Sequence, residues 1–327
     1  MAKIIAEIGI NHNGNFKIAR KLIDLAKEVG CWGIKFQYRN LKNYIIDNHN
    51  HTELGKEIID HEIKKNYHTS KQIIQLTLYA KKLGIKCGIS FFTVKDVINF
   101  SKTSFDFYKI PSPVSDNFSL IKKLKKLNKK LIISFGGKSY DEIKKIIKIN
   151  NLNNKKIVLM HCISNYPVSE INSNLGFIDE LKNKYKKCSI GYSSHENNIL
   201  NSILILSKKI DYIERHITLD KEQKGLDHSS SSDIGELKKL QFFNLNFKKI
   251  FFNKDKQPVN QGEIINRQNL GMSYYFKKDV KRGTILKKKD LYLKQPNIGL
   301  TDINIDDHLK TKTIRNFKKN EPVTVSC

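Results

Sequence analysis

The chain has 327 residues, a length that fits one large domain together with a smaller one. Its 59 lysines and arginines outnumber 32 aspartates and glutamates, which gives a formal net charge of +27. The lysines are scattered rather than clustered, which argues against nucleic acid as a partner, and no stretch approaches the roughly 18 apolar residues of a membrane helix. Five widely spaced cysteines lack the paired spacing of a disulfide framework or a zinc site. We therefore expect a cytoplasmic protein that binds neither nucleic acid nor a membrane.

Apolar or β-branched runs recur along the first part of the chain, with amphipathic stretches of helical periodicity between them. Ile18, Leu22, Ile23 and Ala26 show this periodicity after the first run. Eight strand–helix units over residues 1–250 predict a (β/α)8 TIM barrel, and a doubly wound open sheet is the alternative. The predicted strands cover residues 3–10, 30–37, 86–92, 105–112, 129–136, 155–162, 188–194 and 210–218.

The pattern changes after residue 250. Residues 251–269 are polar and contain Pro258 and Gly262, so we interpret them as a linker. Short strand-like pieces then alternate with turns over residues 270–327, which predicts a small β-rich domain.

Polar side chains lie near the carboxyl ends of six predicted strands. Because the carboxyl ends of barrel strands converge on one mouth, where active sites are built, this placement favours the barrel over the open sheet. The residues are Lys35 and Gln37, Lys109 and Ser112, Ser134, His161 to Ser164, Ser193 and His195, and Glu214 and His216.

His195 and His216 end adjacent predicted strands, so their imidazoles could hold a divalent metal in an open site. Judged on spacing alone, hydrogen-bonded structural histidines are the commoner arrangement.

Lys35 and Lys109 stand in otherwise apolar strands, where they could bind the phosphate and carboxylate of a small dianion. A structural ion pair with Glu7 or Glu214 is the alternative. Ligand binding and ion pairing are compatible interpretations of the same lysines. The polar, serine-rich segment 225–233 is placed at the same mouth by the fold, where Asp227 and His228 could reach a polyhydroxylated ligand.

Six motifs, in order, resemble the N-acetylneuraminate (sialic acid) synthase family. The resemblance continues into the tail, where Val280-Lys-Arg-Gly283 and Leu291-Tyr-Leu-Lys-Gln-Pro296 look like the antifreeze-like, or SAF, domain that ends these enzymes. The six motifs are Ala6-Glu-Ile-Gly-Ile-Asn-His-Asn-Gly14, Ile34-Lys-Phe-Gln37, Tyr108-Lys-Ile-Pro-Ser112, His161-Cys-Ile-Ser-Asn-Tyr-Pro167, Gly191-Tyr-Ser-Ser-His-Glu196, and Glu214-Arg-His-Ile-Thr-Leu-Asp220 followed by Lys224-Gly-Leu-Asp-His228.

The resemblance implies a synthase that joins phosphoenolpyruvate to an amino-sugar aldehyde, such as N-acetylmannosamine or a di-acetamido-trideoxy hexose. It implies that His195 and His216 hold a divalent metal, with manganese expected and magnesium or cobalt as alternatives. It also implies a domain-swapped homodimer in which the SAF domain of one subunit covers the barrel mouth of the other. Phosphoenolpyruvate would be bound by Lys35, Lys109, Ser112, Ser134, Ser164 and Ser193, and Glu7, Gln37, Tyr166, Glu214 and Asp227 would line the sugar and the reacting centre. We expect Glu7, Lys35, Lys109 and Glu214 to be catalytic, and we add Ser90 to the substrate-binding residues.

Two positions depart from the family pattern. Val114 stands where the family usually carries a glutamate, for which Asp116 is a candidate substitute. Gln295 stands where the family commonly places an arginine that reads the N-acetyl group from the partner subunit. Because loss of a planar cation with five donors changes recognition, we expect the phosphoenolpyruvate chemistry to be kept and the sugar specificity to be altered. Gln295 remains a candidate substrate-binding residue.

Two other functions stay open. A phosphoenolpyruvate–aldose synthase of the 3-deoxy-octulosonate type would use the same barrel, but those enzymes lack the SAF tail. A non-catalytic carbohydrate-binding barrel would explain Val114 and Gln295, but a degenerate site has no reason to keep both lysines and both histidines. Residues 38–70, with His49, His51, His61 and His68, are predicted to form a solvated loop over the mouth.

Overall fold

Parallel strands close into a barrel in the first part of the chain. The structure is a computed structural model that describes residues 1–40, 42, 64–251 and 260–324. Within these ranges eight strands pair in sequence order, and the first also pairs with the eighth. The predicted (β/α)8 barrel is therefore confirmed. The strands are β1 (Lys3–Gly9), β2 (Gly33–Tyr38), β3 (Lys86–Phe91), β4 (Phe107–Ile110), β5 (Lys130–Ser134), β6 (Ile157–Cys162), β7 (Ser189–Ser194) and β8 (Tyr212–His216).

Helices cover the outside of the barrel. The first shows how the sequence sets its bounds: the Asn15 side chain caps the amino end by accepting from the backbone N–H of Lys17 and Ile18, and Gly30 ends it with a φ of 78°. Its buried face, which includes Leu22, Ile23 and Ala26, is the face that the periodicity predicted. The helices are α1 (Phe16–Val29), α2 (Ser70–Lys82), α3 (Val94–Ile98), α4 (Phe118–Lys125), α5 (Tyr140–Ile149), α6 (Phe177–Lys184), α7 (Leu200–Leu204) and α8 (Ile234–Phe251).

The interior of the barrel is filled by a small core of its own. Phe107 and Tyr212 pack there, and Trp32 packs against both, with ring centroids 5.1 and 5.4 Å away. Gly88 of β3 lies directly beside Phe107 in the strand register. This layer fills the barrel below the carboxyl ends of the strands, where the active sites of this fold are built.

Residues Phe252–Cys327 form the second unit. Strand β9 (Ser273–Phe276) pairs antiparallel with β10 (Leu291–Lys294), and Phe276 stacks on Phe317 at a centroid distance of 4.7 Å in the core of this unit. Helix α9 (Gln261–Leu270) lies in the segment interpreted as a linker, and all ten of its residues are exposed. The side chain of Asn260 caps this helix by accepting from the backbone N–H of Glu263. Such a cap is a signal for the start of a helix, but the polar composition of the segment favoured a linker.

Some expectations fall wholly or partly outside the described residues. His49, His51 and His61 of the predicted loop lie there, as does Cys327. The other four cysteines form no disulfide. Every helix in the described ranges is too short or too polar to span a membrane.

Gly88→Ala should destabilise the fold by about 1–3 kcal/mol, the usual effect of overpacking a filled core. The added Cβ would overlap the ring of Phe107, which is itself packed against Trp32 in the barrel interior. Thermal unfolding measures the change. Gly176→Ala is the matched control, because its Cβ would meet nothing within 4 Å and its φ is −59°. Equal midpoints for the two variants would contradict this account of the barrel interior.

Candidate active site

A cavity of about 300 Å³ opens at the carboxyl ends of the barrel strands. It brings together most of the residues predicted from the sequence. Glu7 is buried and contacts Lys35 without lining the cavity, and Gln295 lies in the second unit, where its side-chain amide donates to the carbonyl of Leu270 at 2.8 Å. The predicted residues that line the cavity are Lys35, Gln37, Ser90, Lys109, Ser112, Ser134, Ser164, Tyr166, Ser193, His195, Glu214, His216 and Asp227.

Two buried lysine–carboxylate pairs form the base of this cavity. The ammonium of Lys35 contacts the carboxylate of Glu7 and donates to the hydroxyl of Ser90 at 2.8 Å. The ammonium of Lys109 donates to Oε1 of Glu214 at 2.5 Å. Both lysines also line the cavity, so the ion pairs leave their ammonium groups facing the space that a ligand would enter.

The electrostatics of these pairs suit an anionic ligand. Burial lowers the pKa of Lys35 to about 7, although the Glu214 carboxylate opposes this shift. Burial alone would raise the pKa of Glu214, but the ammonium groups of Lys109 and Lys35 outweigh that effect and hold its pKa below the ordinary value. A phosphate or carboxylate arriving at Lys35 would favour the charged ammonium.

Serine hydroxyls and one glycine build a cradle beside the lysines. The Ser112 hydroxyl accepts from the backbone N–H of Gly136 at 2.9 Å. A Cβ on Gly136 would overlap the Ser164 hydroxyl and come within 3.0 Å of the Ser112 hydroxyl, so only glycine leaves this space open. The Ser134 hydroxyl is buried and has no hydrogen-bond partner among the described residues. The cradle therefore offers donors to a ligand oxygen.

The two histidines face each other across the cavity, with ring centroids 5.7 Å apart. Burial lowers the pKa of His195 to about 4 and the pKa of His216 well below its ordinary value, so both imidazoles are neutral near pH 7. Nδ1 of His195 lies 2.7 Å from the carbonyl oxygen of Ile163, to which it donates. This bond leaves Nε2 of His195 with a lone pair.

This donor set fits a divalent metal ion. Nδ1 of His216 is buried without a hydrogen-bond partner among the described residues, and Oδ2 of Asp227 lies 3.4 Å from it. No group of three or more His, Cys, Asp or Glu side chains in the described ranges has the geometry to hold a metal. The two histidines would therefore form an open site, with substrate or water completing the coordination.

The serine-rich segment that carries Asp227 is buried, unlike a solvated linker. Ser230, Ser231 and Ser232 are all inaccessible to solvent. The side-chain amide of Asn11 donates to the Ser231 hydroxyl at 2.7 Å, and that hydroxyl donates to the carbonyl of Asp227 at 2.6 Å. The loop is thereby fastened to the segment after β1, which orients Asp227 toward His216.

Val114 and Asp116, which concern the first departure from the family pattern, do not line the cavity. Val114 packs against the hydrophobic core. Asp116 forms an ion pair with Lys138 at 2.5 Å, and its side chain is half exposed. In this structure Asp116 is thus engaged with Lys138 and is not among the residues that line the cavity.

Sequence reasoning gave no site role to several residues that line or shape the cavity, among them Arg39, His12, His68 and Gly136. Arg39, whose guanidinium stacks on Phe92 at 3.8 Å, lies two residues beyond Gln37, and strand alternation could have indicated it. His12 stacks on His68 at a centroid distance of 4.0 Å, and both are buried, so the expectation of a solvated loop is wrong for His68. Gly136 directly follows Ser134-Phe135, and nothing in its sequence neighbourhood revealed the close contacts.

The fold and the cavity together define a TIM-barrel enzyme whose cavity holds two buried lysines beside paired histidines. The chain belongs to the NeuB family, whose family model matches residues 22–253. The resemblance of the barrel to the sialic acid synthases is thus confirmed.

Individual relatives agree with this assignment. The chain is 31% identical over 332 residues to N,N'-diacetyllegionaminic acid synthase of Campylobacter jejuni, with 97% of each chain covered. It is 34% identical over 276 residues to N-acetylneuraminate-9-phosphate synthase of Drosophila melanogaster, covering 81% of this chain and 72% of that one. Among solved structures, the N-acetylneuraminic acid (sialic acid) synthetase from Leptospira borgpetersenii serovar Hardjo-bovis in complex with citrate has a TM-score of 0.69 and 30% identity, covering 81% of this chain and 91% of that chain.

Gly136→Ala should weaken phosphoenolpyruvate binding at least tenfold, because the new methyl group would displace the hydroxyls of Ser112 and Ser164. Calorimetric titration of the full chain measures the dissociation constant. Gly176→Ala again serves as the control, since it adds the same methyl group away from the cavity. An unchanged dissociation constant in Gly136→Ala would show that the cradle does not contact the ligand.

Proposed function

We propose that this enzyme condenses phosphoenolpyruvate with the open-chain aldehyde of an N-acetylated amino sugar, either N-acetylmannosamine or a di-acetamido-trideoxy hexose, to a nine-carbon nonulosonic acid. The observation that carries the proposal is the joint placement of two buried lysines and two histidines in one cavity. Family membership and the synthase relatives support the same reaction.

The reaction forms one carbon–carbon bond and releases one phosphate. C3 of phosphoenolpyruvate attacks the aldehyde carbon, whose oxygen takes up a proton and becomes a hydroxyl. Water adds to C2, and phosphate leaves with the oxygen that had joined it to C2, so that a carbonyl remains there. Catalysis of this kind depends on positioning and on stabilising charge, with no covalent nucleophile on the protein.

Each group of residues has a proposed part in this reaction. Lys35 and Lys109 hold the phosphate and carboxylate of phosphoenolpyruvate, with Glu7 and Glu214 orienting their ammonium groups. The hydroxyls of Ser90, Ser112, Ser134, Ser164 and Ser193 supply further donors, and Gln37, Tyr166 and Asp227 contact the sugar.

His195 and His216 would hold a divalent metal ion, for which we propose manganese, with magnesium or cobalt as alternatives. When bound, such an ion would polarise the carbonyl of the sugar aldehyde. The contact between Nδ1 of His195 and the Ile163 carbonyl keeps one histidine nitrogen ready for this role.

We further propose that the second unit is a SAF domain of the antifreeze-like, β-clip type, and that it covers the barrel mouth of a partner subunit in a homodimer. Ile171, in the loop after β6, and Ile303, in the second unit, are each 90% exposed, as apolar contact residues would be in an isolated chain. A monomeric mass in light scattering at micromolar concentration would contradict the dimer.

We also propose that the enzyme is cytoplasmic, because phosphoenolpyruvate is an intracellular metabolite.

The departures at Val114 and Gln295 support an altered sugar specificity. Val114 packs against the hydrophobic core of the barrel unit, and both residues differ from the family in losing a charge. We therefore propose that a di-acetamido sugar is preferred over N-acetylmannosamine, although the phosphoenolpyruvate chemistry is the same for both.

Phosphate release from phosphoenolpyruvate with Mn²⁺ tests the function. The panel contains N-acetylmannosamine, its 6-phosphate, di-acetamido-trideoxy hexoses and arabinose 5-phosphate. We expect release with an N-acetylated sugar and a loss of at least 100-fold in His216→Ala, because the metal site loses one of its two nitrogen ligands. Lys238→Ala, which changes an exposed residue of α8 outside the cavity, is the control and should retain activity.

The other outcomes separate the alternatives. Release only with arabinose 5-phosphate would replace the proposal with a 3-deoxy-octulosonate-type synthase. Binding of Mn²⁺ without release from any aldehyde would favour a carbohydrate-binding barrel. Equal use of N-acetylmannosamine and the di-acetamido sugars would contradict the altered specificity alone.

A further inference from the structure

A charged pair that the proposed reaction does not use lies behind the cavity wall. Glu196 directly follows His195, and Arg215 directly precedes His216. Both side chains are completely buried, and neither lines the cavity. Because successive side chains of a strand point to opposite faces, Arg215 points outward from the barrel while Glu214 and His216 point in.

The carboxylate of Glu196 gathers donors from three elements. Its Oε1 accepts from Ser173 at 2.5 Å, in the loop before α6, and from the side-chain amide of Asn201 at 3.2 Å, in α7. It also accepts from the Tyr192 hydroxyl, and Oε2 accepts from the Ser194 hydroxyl, both in β7. The carboxylate thus ties the end of β7 to the elements that flank it.

The guanidinium of Arg215 ties β8 to the same group. Its Nη1 donates to the Ser194 hydroxyl at 2.7 Å and lies 3.6 Å from Oε2 of Glu196. Its Nε donates to the Ser232 hydroxyl at 2.8 Å. The backbone N–H of Ser232 in turn donates to the carbonyl of His216 at 2.8 Å. Arg215 therefore connects β8, on which it lies, to β7 and to the loop that carries Asp227.

Stability alone does not account for this pair. Charges buried without solvent are costly, and well-packed apolar residues of similar volume commonly stabilise a fold as well or better. Nη2 of Arg215 is also buried without a hydrogen-bond partner in the described residues, which adds to the cost. The pair fixes the carboxyl ends of β7 and β8 relative to each other, because Ser194 and Arg215 are register partners on these two strands, which lead to the histidines.

We propose that Glu196 and Arg215 are positioning residues that hold the backbones of His195 and His216 at the spacing one divalent ion requires. This inference rests on the metal site of the proposed function. The pair touches neither ion nor substrate, and it acts through β7, β8 and Ser232. Residues that support metal ligands in this indirect way commonly change metal affinity 10–100-fold when they are replaced.

Mn²⁺ affinity of the full chain, measured by electron paramagnetic resonance of the unbound ion, tests the proposal without any need for turnover. Arg215→Met and Glu196→Gln are each expected to weaken binding at least tenfold. Lys138→Met is the matched control, because the Lys138–Asp116 pair, 2.5 Å apart, has a largely buried lysine and joins the segments after β5 and β4. The control should stay within twofold of the wild type.

The double variant Glu196→Gln/Arg215→Met separates positioning from folding. It leaves no unpaired buried charge, so it should fold even where a single variant does not, and its thermal midpoint verifies this. We expect it to bind Mn²⁺ as weakly as the single variants.

Wild-type affinity in the folded double variant would overturn the inference while leaving the proposed function intact. Absence of binding of Mn²⁺ by the wild type, together with absence of magnesium and cobalt binding in direct calorimetric titrations, would instead refute the metal site and the inference with it.

Discussion

The pairing of Lys35 with Glu7 and of Lys109 with Glu214 is the interaction on which the site depends. Removing four charged groups from water is costly, and each ammonium is retained only because a carboxylate lies against it. The closed barrel supplies the rigidity for this, since β1, β2, β4 and β8 each deliver one member of the pairs. The same ammonium groups also line the cavity, so their remaining donors can meet an anion there.

The rest of the mouth is arranged around that charged base. Gly136 leaves room for the hydroxyls of Ser112 and Ser164, and the buried serine loop brings Asp227 to His216. Outside the barrel wall, Glu196 and Arg215 connect the two strands that end in histidines. The lysine–carboxylate pairs inside the barrel thus suit an anionic ligand. The Glu196–Arg215 pair outside the barrel wall joins the two strands that lead to the histidines.

The sequence predicted the strands and the strand-end residues because both follow from local regularities. Apolar runs mark buried parallel strands, and Lys35 or His216 is conspicuous at the end of such a run. The Gly136 cradle and the His12–His68 stack join residues distant in the chain, for which no local spacing rule exists. The serines at 230–232 have the composition of a solvated loop, and only the contact from Asn11 shows that they are buried. Arg215 could not be distinguished from a surface charge, because burial on the outer face depends on the covering helices.

The most direct test of the central claim is a calorimetric titration of phosphoenolpyruvate into the charge-balanced variant Lys109→Met/Glu214→Gln. It removes one buried pair without leaving an unpaired charge, so the fold should persist with a thermal midpoint near that of the wild type. If the buried pairs exist to present cations to the ligand, phosphoenolpyruvate affinity falls at least 100-fold in this folded variant. Retention of wild-type affinity would show that the Lys109–Glu214 pair serves the fold alone and that the ligand is bound elsewhere.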